Sequence, residues 1–80
     1  MPEVHRESGY RFFFYANEGS EAVHVHIGKG SSEAKFWLSP IRMAWNSGFK
    51  PAEIRKILSI LQKQETKIVE EWNEFTKKKN

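Results

Sequence analysis

The sequence predicts an α+β fold, an antiparallel three- to four-stranded meander followed by C-terminal helices packed on one face of the sheet. Three observations lead there. Residues 9–38 are rich in β-branched and aromatic residues set between Asn, Gly and Ser clusters, the pattern of short strands. The segments between these runs have hairpin length and carry Gly, so consecutive strands should pair antiparallel. Beyond Ser39 the apolar residues recur at helical spacing. The 80 residues are too few for two domains, so the chain reads as a single domain, 1–80. Its sheet should occupy about 2–38 and its helices about 40–78.

Three strands are expected, at Tyr10 to Ala16, Ala22 to Ile27 and Glu33 to Leu38. Asn17-Glu18-Gly19-Ser20 and Gly28-Lys29-Gly30-Ser31-Ser32 connect them, and residues 2–6 offer a short fourth strand. Ser39-Pro40 has the form of a helix cap followed by proline at the first helical position, which predicts a short helix ending at Asn46-Ser47-Gly48. Pro51 opens a longer one. Ile54, Ile57, Leu58 and Leu61 follow the i, i+3, i+4, i+7 pattern, and Ile68, Trp72 and Phe75 continue it. One long helix and two helices broken near Gln64 both satisfy this stripe.

Six Phe, three Trp and two Tyr supply the burial that a short chain otherwise lacks. There is no cysteine, which excludes disulfides, thiol chemistry and a Cys-based zinc site and fits a cytoplasmic location. No signal peptide is expected at Met1-Pro2-Glu3-Val4-His5, and the longest apolar run, Phe12 to Ala16, is far below the roughly 20 residues of a membrane-spanning helix. The net charge of +3 is a tail effect: three of the thirteen basic residues are Lys77, Lys78 and Lys79, so the remainder carries ten of each sign. Such a tail complements a helix C-terminus and needs no ligand to explain it.

Because strand residues alternate between faces, Val23, Val25 and Ile27 should pack on the helices while His24 and His26 point the other way. In the third strand Ala34, Phe36 and Leu38 oppose Lys35 and Trp37. The first strand is apolar on both sides and should be central or covered on both faces. The face away from the helices then collects His24, His26, Lys35 and Trp37 with Arg11, Phe13 and Tyr15, a surface that is aromatic and basic at once. Such a surface suits a protein contact, and it also suits base stacking and phosphate binding.

His24-Val25-His26 sets two imidazoles on one strand face about 7 Å apart, a spacing that metal sites use. Two ligands do not make a site, and His5, Glu18, Glu21 and Glu33, which could complete one, stand at no diagnostic spacing. No metal or cofactor is therefore assigned. The same imidazoles beside Lys35, Arg11 and Tyr15 have the residue types of a metal-independent ribonuclease, but no signature demands that chemistry. Gly28 to Ser32 lacks the spacing of a phosphate loop and reads as a hairpin turn. The helices around Ser47-Gly48-Phe49-Lys50 have a helix-turn-helix outline, with Lys50, Arg55 and Lys56 in reach of phosphates, although their plainer role is to cover the sheet. Trp45, Trp72 and Phe75 should fill the core, and Glu70, Glu71 and Glu74 should form a solvated face.

Met1-Pro2, Gly9 to Tyr15, Glu18, His24-Val25-His26, Ala34 to Leu38, Gly48-Phe49 and Trp72-Asn73-Glu74 together resemble a bacterial family, the domain of unknown function 4160. The departure is Ala22-Val23, where many members carry prolines. The resemblance implies no activity. It implies a place in compact two-gene units similar to toxin–antitoxin modules, and hence a protein partner, with nucleic acid as an alternative target. The combined expectation is a cytoplasmic interaction module, a homodimer or one paired with a small protein, without membrane association. It would use a binding face of Arg11, Tyr15, His24, His26, Lys35 and Trp37. The alternatives are a nucleic-acid-binding component of a toxin–antitoxin-like pair and a ribonuclease.

Overall fold

Five strands and one helix follow one another along the chain in the computed structural model, which describes residues 2–77. Met1, Lys78 and Lys79, and with them the expected helix end at residue 78, lie outside the described residues. The strands are β1 (Glu3–Glu7), β2 (Tyr10–Phe13), β3 (His24–Lys29), β4 (Ser32–Trp37) and β5 (Arg42–Ser47), and the helix is α1 (Pro51–Lys77). All neighbours pair antiparallel in the order β1-β2-β3-β4-β5, so the sheet is a simple meander.

The α+β expectation holds, with two corrections. The sheet has five strands and not three or four, because residues 2–6 do contribute a strand and Arg42–Ser47 forms another where a short helix was expected. Ser39 does not cap a helix. It adopts φ +58° ahead of a cis peptide to Pro40 and turns the chain back so that Arg42 to Ser47 pair with β4. With that helix gone, the helix-turn-helix outline goes too, and Trp45 leaves the core for an exposed position on β5.

The second correction concerns the helices, which are one. Pro51 sits at the first helical position, and the Glu53 carboxylate reaches back to accept from the Lys50 backbone N–H, 3.0 Å away, closing the N-terminal turn. Without Gly or Pro to interrupt it, α1 runs 27 residues, about 40 Å at 1.5 Å per residue. Ile57, Ile60, Leu61, Ile68 and Trp72 form its buried stripe, while Glu70, Glu71 and Glu74 are solvated. No helix among the described residues is long and apolar enough to cross a membrane.

The helix lies against β1 and β3. Tyr10, Phe12, Val25, Ile27, Ala34 and Phe36 meet its stripe, as strand alternation requires. Leu38 and Phe49 close the ends of this core, and the first predicted strand is indeed covered on both faces. The remaining face of the sheet holds a second layer, where the candidate site lies.

Candidate functional site

Pairing register puts Phe13, His26, Lys35 and Trp45 in one row across β2 to β5, and His24 and Trp37 in the next. These rows lie on the side of the sheet away from the helix, so the predicted alternation is correct. The predicted exposure is not. His24 and His26 are buried, 0% and 2% exposed, and Lys35 is buried with them. The reason is local: β2 stops at Phe13, and the segment that follows leaves the sheet and sets Tyr15, Glu18 and Glu21 over this face, while Phe14 turns into the core on the helix side. That segment is folded by Glu18 N–H donating to the Tyr15 carbonyl and Glu21 N–H to the Glu18 carbonyl. The two turns bring Glu18 and Glu21 down onto the histidines.

One oxygen of Glu18, Oε1, lies 2.7 Å from His24 Nε2 and 2.7 Å from His26 Nε2. His24 Nδ1 sits 2.9 Å from the Ala22 carbonyl oxygen. His26 Nδ1 faces Glu33 Oε2 at 3.3 Å but has no hydrogen-bond partner among the described residues, and that carboxylate oxygen accepts from the Tyr15 hydroxyl at 2.9 Å. Lys35 donates to Glu21 at 2.7 Å, and its ammonium stands 4.5 Å over the Trp37 ring. Burial pushes the Glu18 carboxyl up, but hydrogen bonds from His24 and His26 outweigh it, so the group lies below the ordinary carboxylate value.

Aromatic rings wall this cluster. Phe13 stacks on His26 with ring centroids 5.8 Å apart, and Tyr15 meets the same imidazole edge-on at 4.5 Å. Trp37 packs edge-on to His24 at 5.5 Å. β2 ends one register row before His24, and the open space beside that imidazole is taken by Trp72 of the helix, 4.7 Å away. His24 is therefore touched by the helical layer, contrary to the sequence expectation. Arg11 lies over the Phe13 ring and alongside Gly28.

The structure thus gathers five of the six predicted residues, Tyr15, His24, His26, Lys35 and Trp37, and sets Arg11 beside them. Glu18, Glu21 and Glu33 turn the expected basic face into a charge-balanced one. Glu18, Glu21 and Glu33 were all candidates by residue type, but the bond of Glu21 to Lys35 spans 14 positions and had no sequence signal. Glu18, His24 and His26 could hold a metal ion, since one ligand atom from each lies within 4.8 Å of the others. A shallow cleft of about 160 Å³ lined by Pro2, Val4, Phe14, Glu71, Glu74 and Phe75 contains none of the predicted residues.

Fold and site together define a small α+β domain with a buried bis-histidine and carboxylate cluster on the sheet face opposite its helix. The chain belongs to the family described as Domain of unknown function (DUF4160), whose model matches residues 9–73. The quoted motifs from Gly9 to Phe49 fall inside that match with Trp72 and Asn73, while Met1-Pro2 and Glu74 lie outside it. No curated protein and no solved structure matches the chain.

Proposed function

We propose that this protein is an interaction module that pairs with a second copy of itself along the free edge of β5. One observation carries the reading. The exposed large hydrophobic residues among those described are Met43 and Trp45, and both stand on β5, which has a strand neighbour on one side alone. An unpaired strand presents a row of N–H and C=O groups that another strand can complete.

The two edges of the sheet differ in a way that supports this choice. Both edge strands have a register irregularity, so the difference is charge: β1 carries Glu3, Arg6 and Glu7 with His5, side chains that blunt a sheet edge. β5 reads Arg-Met-Ala-Trp-Asn-Ser, with its single charge at one end. Antiparallel pairing of two such strands sets the two Arg42 residues at opposite ends, away from like charge, and brings the Trp45 residues of both copies into one strip on the histidine side, while Met43, opposite Phe36 in the register, meets the partner strand on the helix side. Trp37, half-buried in the adjoining row, extends that strip.

The nucleic-acid alternative loses support from the same geometry. Lys35 and both imidazoles direct their polar atoms at Glu21 and Glu18, which leaves less positive charge for phosphate than the residue types suggest. Sedimentation equilibrium separates the readings. A dimer that Trp45→Lys and Met43→Lys convert to folded monomer supports pairing through β5. A wild-type chain that remains monomeric at about 1 mM, where even a contact of about 4 kcal/mol half-associates, overturns it. Salt-sensitive NMR shifts at Lys35 and Trp37 on adding single-stranded RNA would favour the nucleic-acid reading instead.

A further inference from the structure

The hydrogen bonds of His24 fix which of its ring nitrogens holds the proton. A carbonyl oxygen can only accept, so the 2.9 Å contact with the Ala22 carbonyl places a hydrogen on Nδ1. Neutral His24 then carries a lone pair at Nε2. That lone pair is aimed at Glu18 Oε1 2.7 Å away, an oxygen that also only accepts when ionised. Two acceptors at this distance require a positive charge between them, either a proton or a metal ion.

His26 meets the same oxygen. Its Nε2 lies 2.7 Å from Glu18 Oε1, and its buried Nδ1 faces Glu33 Oε2 at 3.3 Å without a hydrogen-bond partner among the described residues. Neutral His26 can hold its proton on Nε2 and donate to Glu18, which leaves a buried Nδ1 lone pair unbonded. Protons alone would still require a fully buried His24 cation on the shared oxygen, whereas a metal ion there takes the lone pairs of both Nε2 atoms and puts the His26 proton on Nδ1, facing the Glu33 carboxylate.

We propose that Glu18, His24 and His26 form a binding site for a divalent transition-metal ion of the zinc type, with Nε2 of each histidine and the Glu18 carboxylate as ligands. The donor set suits that class: imidazole and carboxylate bind zinc and its late first-row neighbours, whereas magnesium and calcium favour all-oxygen sites. The Ala22 carbonyl is the outer partner that a metal-bound histidine needs, because it holds the proton on Nδ1 and presents Nε2. The site lacks nothing in rigidity on the histidine side, since His24 and His26 stand two apart on β3 and are walled by Phe13, Tyr15 and Trp72. Ligand atoms around a tetrahedral zinc sit about 3.3 Å apart, so the carboxylate must move outward by about half an ångström. Glu18 can do so, because it lies outside the strands on a side chain that is 21% exposed.

The test is zinc titration of the chelator-stripped full chain, followed by calorimetry and by long-range proton–nitrogen spectra of the imidazoles. The expected result is one zinc per chain, movement of the His24 and His26 Nε2 resonances, a raised Tm, and an intense visible spectrum with cobalt in place of zinc. Glu18→Gln, an isosteric change at a partly exposed position, should weaken zinc binding by about tenfold or more, whereas His5→Gln should leave it unchanged. The proposal is overturned if zinc leaves both imidazoles unmoved. It is equally overturned if binding survives Glu18→Gln and disappears with His5→Gln, which would place the ion at His5 and Glu7. The wild-type imidazole spectra decide the matter even if a variant fails to fold.

Discussion

Lys35 and Glu21 are joined at 2.7 Å across the face of the sheet, a strand residue held by a residue of the segment that covers it. With the Glu18 contacts, the bond fastens the connecting segment to the sheet. It also explains how a lysine can be buried on a sheet face, since its ammonium keeps a carboxylate on one side and the Trp37 ring on another. Glu21→Gln should destabilise the fold by about 1–2 kcal/mol, less than a fully buried pair would lose because Glu21 is 39% exposed. Urea denaturation measures this, and a double-mutant cycle with Lys35→Met should recover most of the loss. A Glu21→Gln protein as stable as wild type would mean that the bond does not hold the segment down.

Tyr10 and Tyr15 should both resist ionisation. Burial raises the Tyr10 phenol first, and the Glu53 charge adds to it. For Tyr15 burial again leads, followed by the hydrogen bond to Glu33 and the charge of that group. Since the ordinary value is 10.0 and the folded values lie above it, the unfolded chain gives up these protons first as pH rises. Their contribution to stability is thus complete below about pH 10 and is lost progressively above it. Ultraviolet titration of the phenolate band, native against urea-unfolded, should show a higher midpoint for the native protein.

Gly48 and Gly30 both have positive φ but should differ under substitution. A Cβ at Gly48, where φ is +103°, would come 2.6 Å from Ser32 Oγ and 3.4 Å from its Cα. At Gly30, φ is +60° and a Cβ would meet nothing within 4 Å. Gly48→Ala should cost about 2 kcal/mol or more, through backbone strain and displacement of Ser32 together. Gly30→Asn should cost about 1 kcal/mol or less, because Asn tolerates the left-handed region. Thermal melts of the two variants compare them directly.

Phe36 sits at 0% exposure between the helix stripe and the middle of the sheet. Phe36→Ala should cost about 3–5 kcal/mol from lost transfer energy and the cavity left behind. A chain of this length has a total stability of roughly 4–12 kcal/mol, so the loss is a large share of the whole, and urea denaturation should show a much lower midpoint. A loss below about 1 kcal/mol for Phe36→Ala would contradict the placement.

Much of the sheet was legible because it rests on a period. Val25 and Ile27 on one face and His24 and His26 on the other follow from geometry that every strand obeys. β5 was not legible for a local reason. Ser39-Pro40 satisfies the rules for opening a helix, and what overrides them is pairing with β4, a contact between segments that no local window contains.

The sequence by itself determined the α+β class, the antiparallel meander, the buried stripe of α1 and the identity of the histidine face, because these depend on alternation, loop length and helical spacing. Tertiary structure alone decided that the face is closed. Glu18 and Glu21 belong by sequence to a connecting loop, and whether such a loop points to solvent or folds over the sheet depends on bonds to residues as distant as Lys35. Those bonds bury His24 and His26, balance their surroundings with carboxylates, and leave the free edge of β5 as the exposed apolar part of the sheet.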